Sequence, residues 1–92
     1  MEIELKNLGT INKNEVIIRN GGKRLSLYFS YETIVGATAD TGLGKYLKKI
    51  SVNDWSQTTG KFLNELEADK TQRYPHQEVV EMVAQVLKEV CK

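Results

Sequence analysis

Apolar and polar positions alternate from Glu2 to Leu8 (E-I-E-L-K-N-L), so Ile3 and Leu5 fall on one side of an extended strand and the charges on the other. The pattern predicts a half-buried strand. After N-K-N, Glu15 to Arg19 is rich in branched residues, and Asn20-Gly21-Gly22 supplies the positive backbone angles of a tight hairpin turn. The return strand, Arg24 to Ser30, puts Leu25, Leu27 and Phe29 on one face and Arg24, Ser26, Tyr28 and Ser30 on the other. Thr33 to Ala39 reads as a further strand, in which Gly36 marks a bulge or the close approach of a neighbouring backbone. Tyr46 to Val52 resumes an extended pattern, but Lys48 falls among Tyr46, Ile50 and Val52 and leaves the inward face open.

From Asp54 the period changes. Asp54 or Ser56 caps a short helix carrying Phe62, Leu63 and Leu66 at helical spacing and weakened by Gly60. A polar connection, E-A-D-K-T-Q-R-Y, leads to Pro75, placed where a first helical turn tolerates it. Val79, Val80, Val83, Val86, Leu87 and Val90 then form one stripe, with Glu78, Glu81, Gln85, Lys88 and Glu89 largely opposite. Strands followed by helices predict an α+β fold: an antiparallel sheet of about four to five strands, then a short helix and a longer C-terminal amphipathic helix, with helices gathered on one face. Such a sheet leaves apolar area on its other face or its edge, and a homodimer is the expected resolution.

Composition narrows the class. Ninety-two residues make a single domain, 1–92, and 13 Lys and Arg against 12 Asp and Glu steer the bulk of the chain toward neither nucleic acid nor an anionic membrane. The sole cysteine, Cys91, provides no disulfide framework and no Cys-rich zinc cluster, which fits a reducing compartment. No apolar run approaches the roughly 20 residues of a membrane helix, and M-E-I-E-L-K does not resemble a signal peptide. A cytoplasmic protein with no membrane partner is expected.

Ala39 to Lys45 (A-D-T-G-L-G-K) falls one residue short of a phosphate-cradling loop, but Tyr46 stands where a serine or threonine would hold magnesium, and Y-L-K-K-I-S-V has strand rather than helix character. A glycine-bearing hairpin turn is expected instead. His76 has no motif linking it to Ser30, Ser51 or Ser56, and Glu65, Glu67 and Asp69 lie among Lys61, Lys70 and Arg73 as on a solvated face. No catalytic residue, cofactor or metal ligand is assigned, and a non-enzymatic role is expected.

Charge is skewed between Lys6 and Lys49, where basic residues outnumber Glu15, Glu32 and Asp40. Arg24, Tyr28, Lys45, Tyr46, Lys48 and Lys49 therefore define a candidate face for single-stranded nucleic acid; the alternative is that the lysines protect sheet edges and the tyrosines sit at the core margin. In D-W-S-Q-T-T-G-K-F-L-N, Trp55 meets hydroxyl and amide groups, and Trp55, Thr58, Thr59, Lys61 and Asn64 define a candidate protein interface unless Trp55 merely staples the helix.

The order S-Y-E-T-I-V-G-A, a second strand, W-S-Q-T-T-G-K-F-L-N and a late D-K-x-x-R, over about residues 30 to 73, resembles a group of small uncharacterised proteins of phages, plasmids and related mobile elements. That group commonly carries His where this chain has Phe62. The resemblance implies an accessory protein that works by binding a protein partner as an inhibitor or regulator, including of host defence. The strand-then-helix order also resembles that of dimeric coactivator-type modules that bind single-stranded DNA. An unidentified protein partner is favoured, with single-stranded nucleic acid as the alternative.

Overall fold

The computed structural model describes residues 1–10, 12–42 and 44–92. Among them the sheet has five strands, β1 (Glu2–Asn7), β2 (Lys13–Asn20), β3 (Lys23–Ser30), β4 (Thr33–Asp40) and β5 (Tyr46–Ile50), each antiparallel to the next in an unbroken meander. Helix α1 (Gln57–Leu66), a 3₁₀ turn (Lys70–Gln72) and helix α2 (His76–Val90) follow, giving the expected α+β class. Asn20 pairs with Lys23 around Gly21, whose φ of 63° is the left-handed conformation a two-residue hairpin demands.

Alternation sorts the side chains into two faces. On one, Ile18, Leu25, Leu27, Ala37 and Ala39 pack against Met82, Val83, Val86 and Val90 of α2. On the other, Tyr28, Val35 and Ile50 pack against Phe62, Leu63 and Leu66 of α1. The longer helix thus covers one face as its stripe predicts, whereas the short helix closes one end of the opposite face. The register explains why both faces need cover: β3 and β4 slip between Tyr28 and Phe29, and the extra residue, Val35, turns an apolar side chain toward α1. Gly36 also serves close approach, since a Cβ there would stand 2.5 Å from Ile50 Cδ1.

Four expectations are corrected, the first being that the helices gather on one face: α1 packs on the face opposite α2, because Val35 and Ile50 give that side its own apolar patch. β1 is not half-buried: Ile3 and Leu5 are 69% and 71% exposed, because α2 lies over β2 to β5 and this edge strand projects past it. In α2, Val80 is largely exposed on the flank of the helix, and Met82 takes a buried place instead. β5 ends at Ile50 rather than Val52; beyond it Ser51 forms an isolated parallel bridge with Tyr74, and the Val52 amide donates to the Tyr74 carbonyl at 2.8 Å.

Candidate functional site

The turn before α1 is built from side chains bonding to the backbone. Asn53 Oδ1 accepts from the Trp55 amide at 3.0 Å, and its Nδ2 donates to the Ser56 carbonyl at 3.2 Å. Of the two candidate caps it is Ser56 that serves, accepting from the Thr59 amide at 3.2 Å. Behind the helix, Arg73 donates to the Glu67 carbonyl from Nε and Nη2 and to Asn64 Oδ1 at 2.6 Å, which ties the end of α1 to the residues after the 3₁₀ turn. That turn is set by Asp69, which accepts from the Thr71 amide at 3.0 Å and hydroxyl at 2.6 Å; these two bonds hold its carboxyl below the usual value.

Between these supports lies a groove of about 550 Å³ whose polar lining is Asn53, Gln57, Lys61, Asn64, Lys70 and Arg73. Its charged lining is entirely cationic. Lys61 and Lys70 make no ion pair among the described residues. Gly60 keeps the groove's wall close, because a Cβ there would meet Asn53 Nδ2 at 2.8 Å. Gly60→Ala is therefore expected to leave stability within about 1 kcal/mol, since the gain in helix propensity opposes the displacement of the Asn53 amide. Thermal melting and the NMR position of the Asn53 side-chain amide together check this; an unmoved amide would contradict the packing described.

Of the predicted interface residues, Lys61 and Asn64 line this groove, and Thr58 is exposed. Trp55 is 39% exposed and is not among the groove's lining residues, its ring standing edge-on to His76 at 5.1 Å between centroids. Thr59 is not available to a partner: it is buried, with its hydroxyl 2.8 Å from Ser30 Oγ. Asn53, Gln57, Lys70 and Arg73 were not singled out as interface residues. Only the D-K-x-x-R spacing pointed toward the last two, and the 3₁₀ turn is what folds them back onto α1.

The candidate nucleic-acid residues are divided by the sheet. Arg24, Tyr28, Tyr46 and Lys48 share the α1 face, Lys49 lies on the α2 face, and Lys45 precedes β5. Arg24 Nη1 donates to Ser26 Oγ and, at 3.4 Å, to Thr38 Oγ1, so its charge lies over a buried hydroxyl pair. Partial burial pushes the Tyr28 phenol above its usual value, opposed by a hydrogen bond with Thr38. Lys48 Nζ is 3.5 Å from Glu67, and Lys49 Nζ is 3.9 Å from Glu78 and 4.8 Å above the Tyr74 ring. The skew in charge is largely answered within the fold: Lys23, Lys45 and Lys49 line one wall of a groove of about 910 Å³ whose other wall carries Glu78, Glu81 and Glu89.

The remaining candidates have structural partners. The Ala39–Lys45 stretch joins β4 to β5, not a strand to a helix, with Leu43 outside the described residues. The Gly42 amide donates to Asp40 Oδ1 at 2.9 Å, as in a side-chain-supported turn. His76 Nε2 lies 3.0 Å from the Ile34 carbonyl, Ser51 Oγ donates to the Val52 carbonyl, and Glu65 meets Lys13 at 2.9 Å. Among the described residues no three His, Cys, Asp or Glu side chains come together as a metal site, and no helix is long and apolar enough to cross a membrane.

A family model matches residues 3–81, and the chain belongs to that family, DUF8033, a family of unknown function. No curated protein and no solved structure matches the chain. The matched span takes in the sheet from Ile3 onward, α1 and the groove residues.

Proposed function

We propose that the chain is a non-catalytic accessory protein that binds a protein partner on its α1 side, recognising an acidic segment. The observation that carries this reading is the groove along α1, where three cations and three amides converge with no carboxylate among its lining residues. Amides supply donors that cations alone do not orient, and the partly exposed Trp55, between the lining residues Asn53 and Gln57 in sequence, supplies apolar area of the kind that anchors interfaces. The likeness of residues 30 to 73 to small phage and plasmid proteins supports an inhibitory or regulatory setting for that binding. Single-stranded nucleic acid is the second reading, favoured by Arg24, Tyr28 and Tyr46 sharing one face; the pairing of Lys48 with Glu67 and of Lys49 with Glu78 weighs against it.

The test sets a Glu- and Asp-rich peptide against an oligothymidylate of similar charge, with Trp55 fluorescence and amide shifts as readouts near physiological salt. The peptide is expected to move the signals of Lys61, Asn64 and Lys70, and Lys61→Gln with Lys70→Gln to weaken it about fivefold. Trp55→Phe is expected to weaken binding more than it lowers the melting temperature. Saturable oligonucleotide binding without a peptide response, lost when Arg24, Lys48 and Lys49 are all replaced by Gln, would reverse the two readings.

A further inference from the structure

Among the described residues β1 pairs only with β2, so its outer edge carries main-chain groups with no described strand beside them. Which groups these are follows from the ladder. The Leu8 amide donates to the Lys13 carbonyl at 2.9 Å in line with the register, so even-numbered residues of β1 turn their amides and carbonyls toward β2 and odd-numbered ones turn theirs outward. Ile3 and Leu5 thus present both free backbone groups and apolar side chains. Exposed edges of this kind pair with another strand unless blocked, and β1 has no proline, glycine or bulge to block it.

The apolar surface continues beyond the strand. Ile3 and Leu5 stand opposite Ile18 and Val16, on the α2 face of the sheet. On α2, Glu78, Glu81 and Glu89 turn toward β5, so the opposite flank, with Val80, Ala84 and Leu87, turns toward β1; Cys91 Sγ, just past the helix, lies 4.0 Å from Met1 Sδ. β1 is therefore the floor of an open apolar trough with α2 as one wall.

We infer that a second copy of this chain occupies that edge, β1 pairing antiparallel with β1 of its partner so that one sheet runs through both copies. The strand is self-complementary in one register. With the two-fold axis at Glu4, Ile3 of each copy faces Leu5 of the other as a hydrogen-bonded pair, and Glu2 of each faces Lys6 of the other. Glu4 meets its own equivalent at the axis, but each Glu4 already holds Arg19 at 3.1 Å, which offsets the like charge. The two α2 helices then wall a shared trough floored by both pairs of Ile3 and Leu5. This assignment is independent of the α1 groove, which lies on the other face.

Sedimentation equilibrium of the full chain tests it. The wild type is expected to reach twice the mass of one chain. Glu2→Lys alone and Lys6→Glu alone, each placing like charges together, are expected to shift toward single-chain mass with unchanged far-UV circular dichroism, because both residues are exposed. Mixing the two single variants is expected to restore the double mass, since each then offers the charge the other lacks, and the variant carrying both changes should associate like the wild type. Leu5→Asn is expected to dissociate the dimer without unfolding it. A single-chain mass for the wild type, full association of either charge variant, or failure of the mixture to reassociate overturns the proposal.

Discussion

Val83→Asp is expected to lower the unfolding free energy by about 4 kcal/mol, enough to unfold a marginal domain of this size. Val83 is 6% exposed and packs in the cluster of Leu25, Leu27 and Ala37, where a carboxylate finds neither water nor a partner. Glu81→Ala, two residues away on the solvent side, is expected to change stability by less than about 0.5 kcal/mol. Urea titrations of the two variants give the comparison. Equal midpoints would mean that α2 presents a different face to the sheet.

Phe62→Ala is the second large effect, expected to cost roughly 3 to 5 kcal/mol. The ring is 2% exposed and closes the end of the α1 face against Val35 and Ile50, with Lys13 Nζ 5.5 Å above it. Phe62→Leu keeps most of the volume and is expected to cost about 1 kcal/mol. The interest lies in position 62 being interior, so that its side chain is set by packing. A loss under about 1 kcal/mol for Phe62→Ala, read from urea titration, would place the residue outside the core.

Much of the sheet was legible because its signals are local. The Asn-Gly-Gly turn, the alternation of Leu25, Leu27 and Phe29, and Gly36 each carry their geometry within a few residues. The α2 stripe was legible for the same reason, with Val80 exchanged for Met82 because a sheet surface accepts a narrower arc than the apolar residues span. What failed depended on distant placement. Nothing in E-I-E-L-K-N states that α2 stops short of it, and nothing in Thr59 states that Ser30 waits on the strand beneath it. Lysines that read as a basic face are met by glutamates more than eighteen positions onward in sequence, as with Lys48 and Glu67 or Lys49 and Glu78. Two of the groove's six polar lining residues were hidden for a related reason: Lys70 and Arg73 reach it only because Thr71 bonds to Asp69 and turns the chain.

The parallel bridge between Ser51 and Tyr74 has a consequence for how this fold tolerates change. The chain departs from the sheet at Ser51 and comes home at Tyr74 beside it, held by the Val52 amide on the Tyr74 carbonyl and the Tyr74 amide on the Ile50 carbonyl, at 2.8 and 2.9 Å. Everything between is an excursion whose two ends are already joined. Closure entropy rises only slowly with loop length, about 0.6 kcal/mol per doubling, so insertions around Ala68 leave the meander and α2 nearly undisturbed. The excursion carries the cationic groove, while the sheet before it and α2 after it form the larger core. The lining of the groove can therefore be rewritten between two fixed hinges on the same frame.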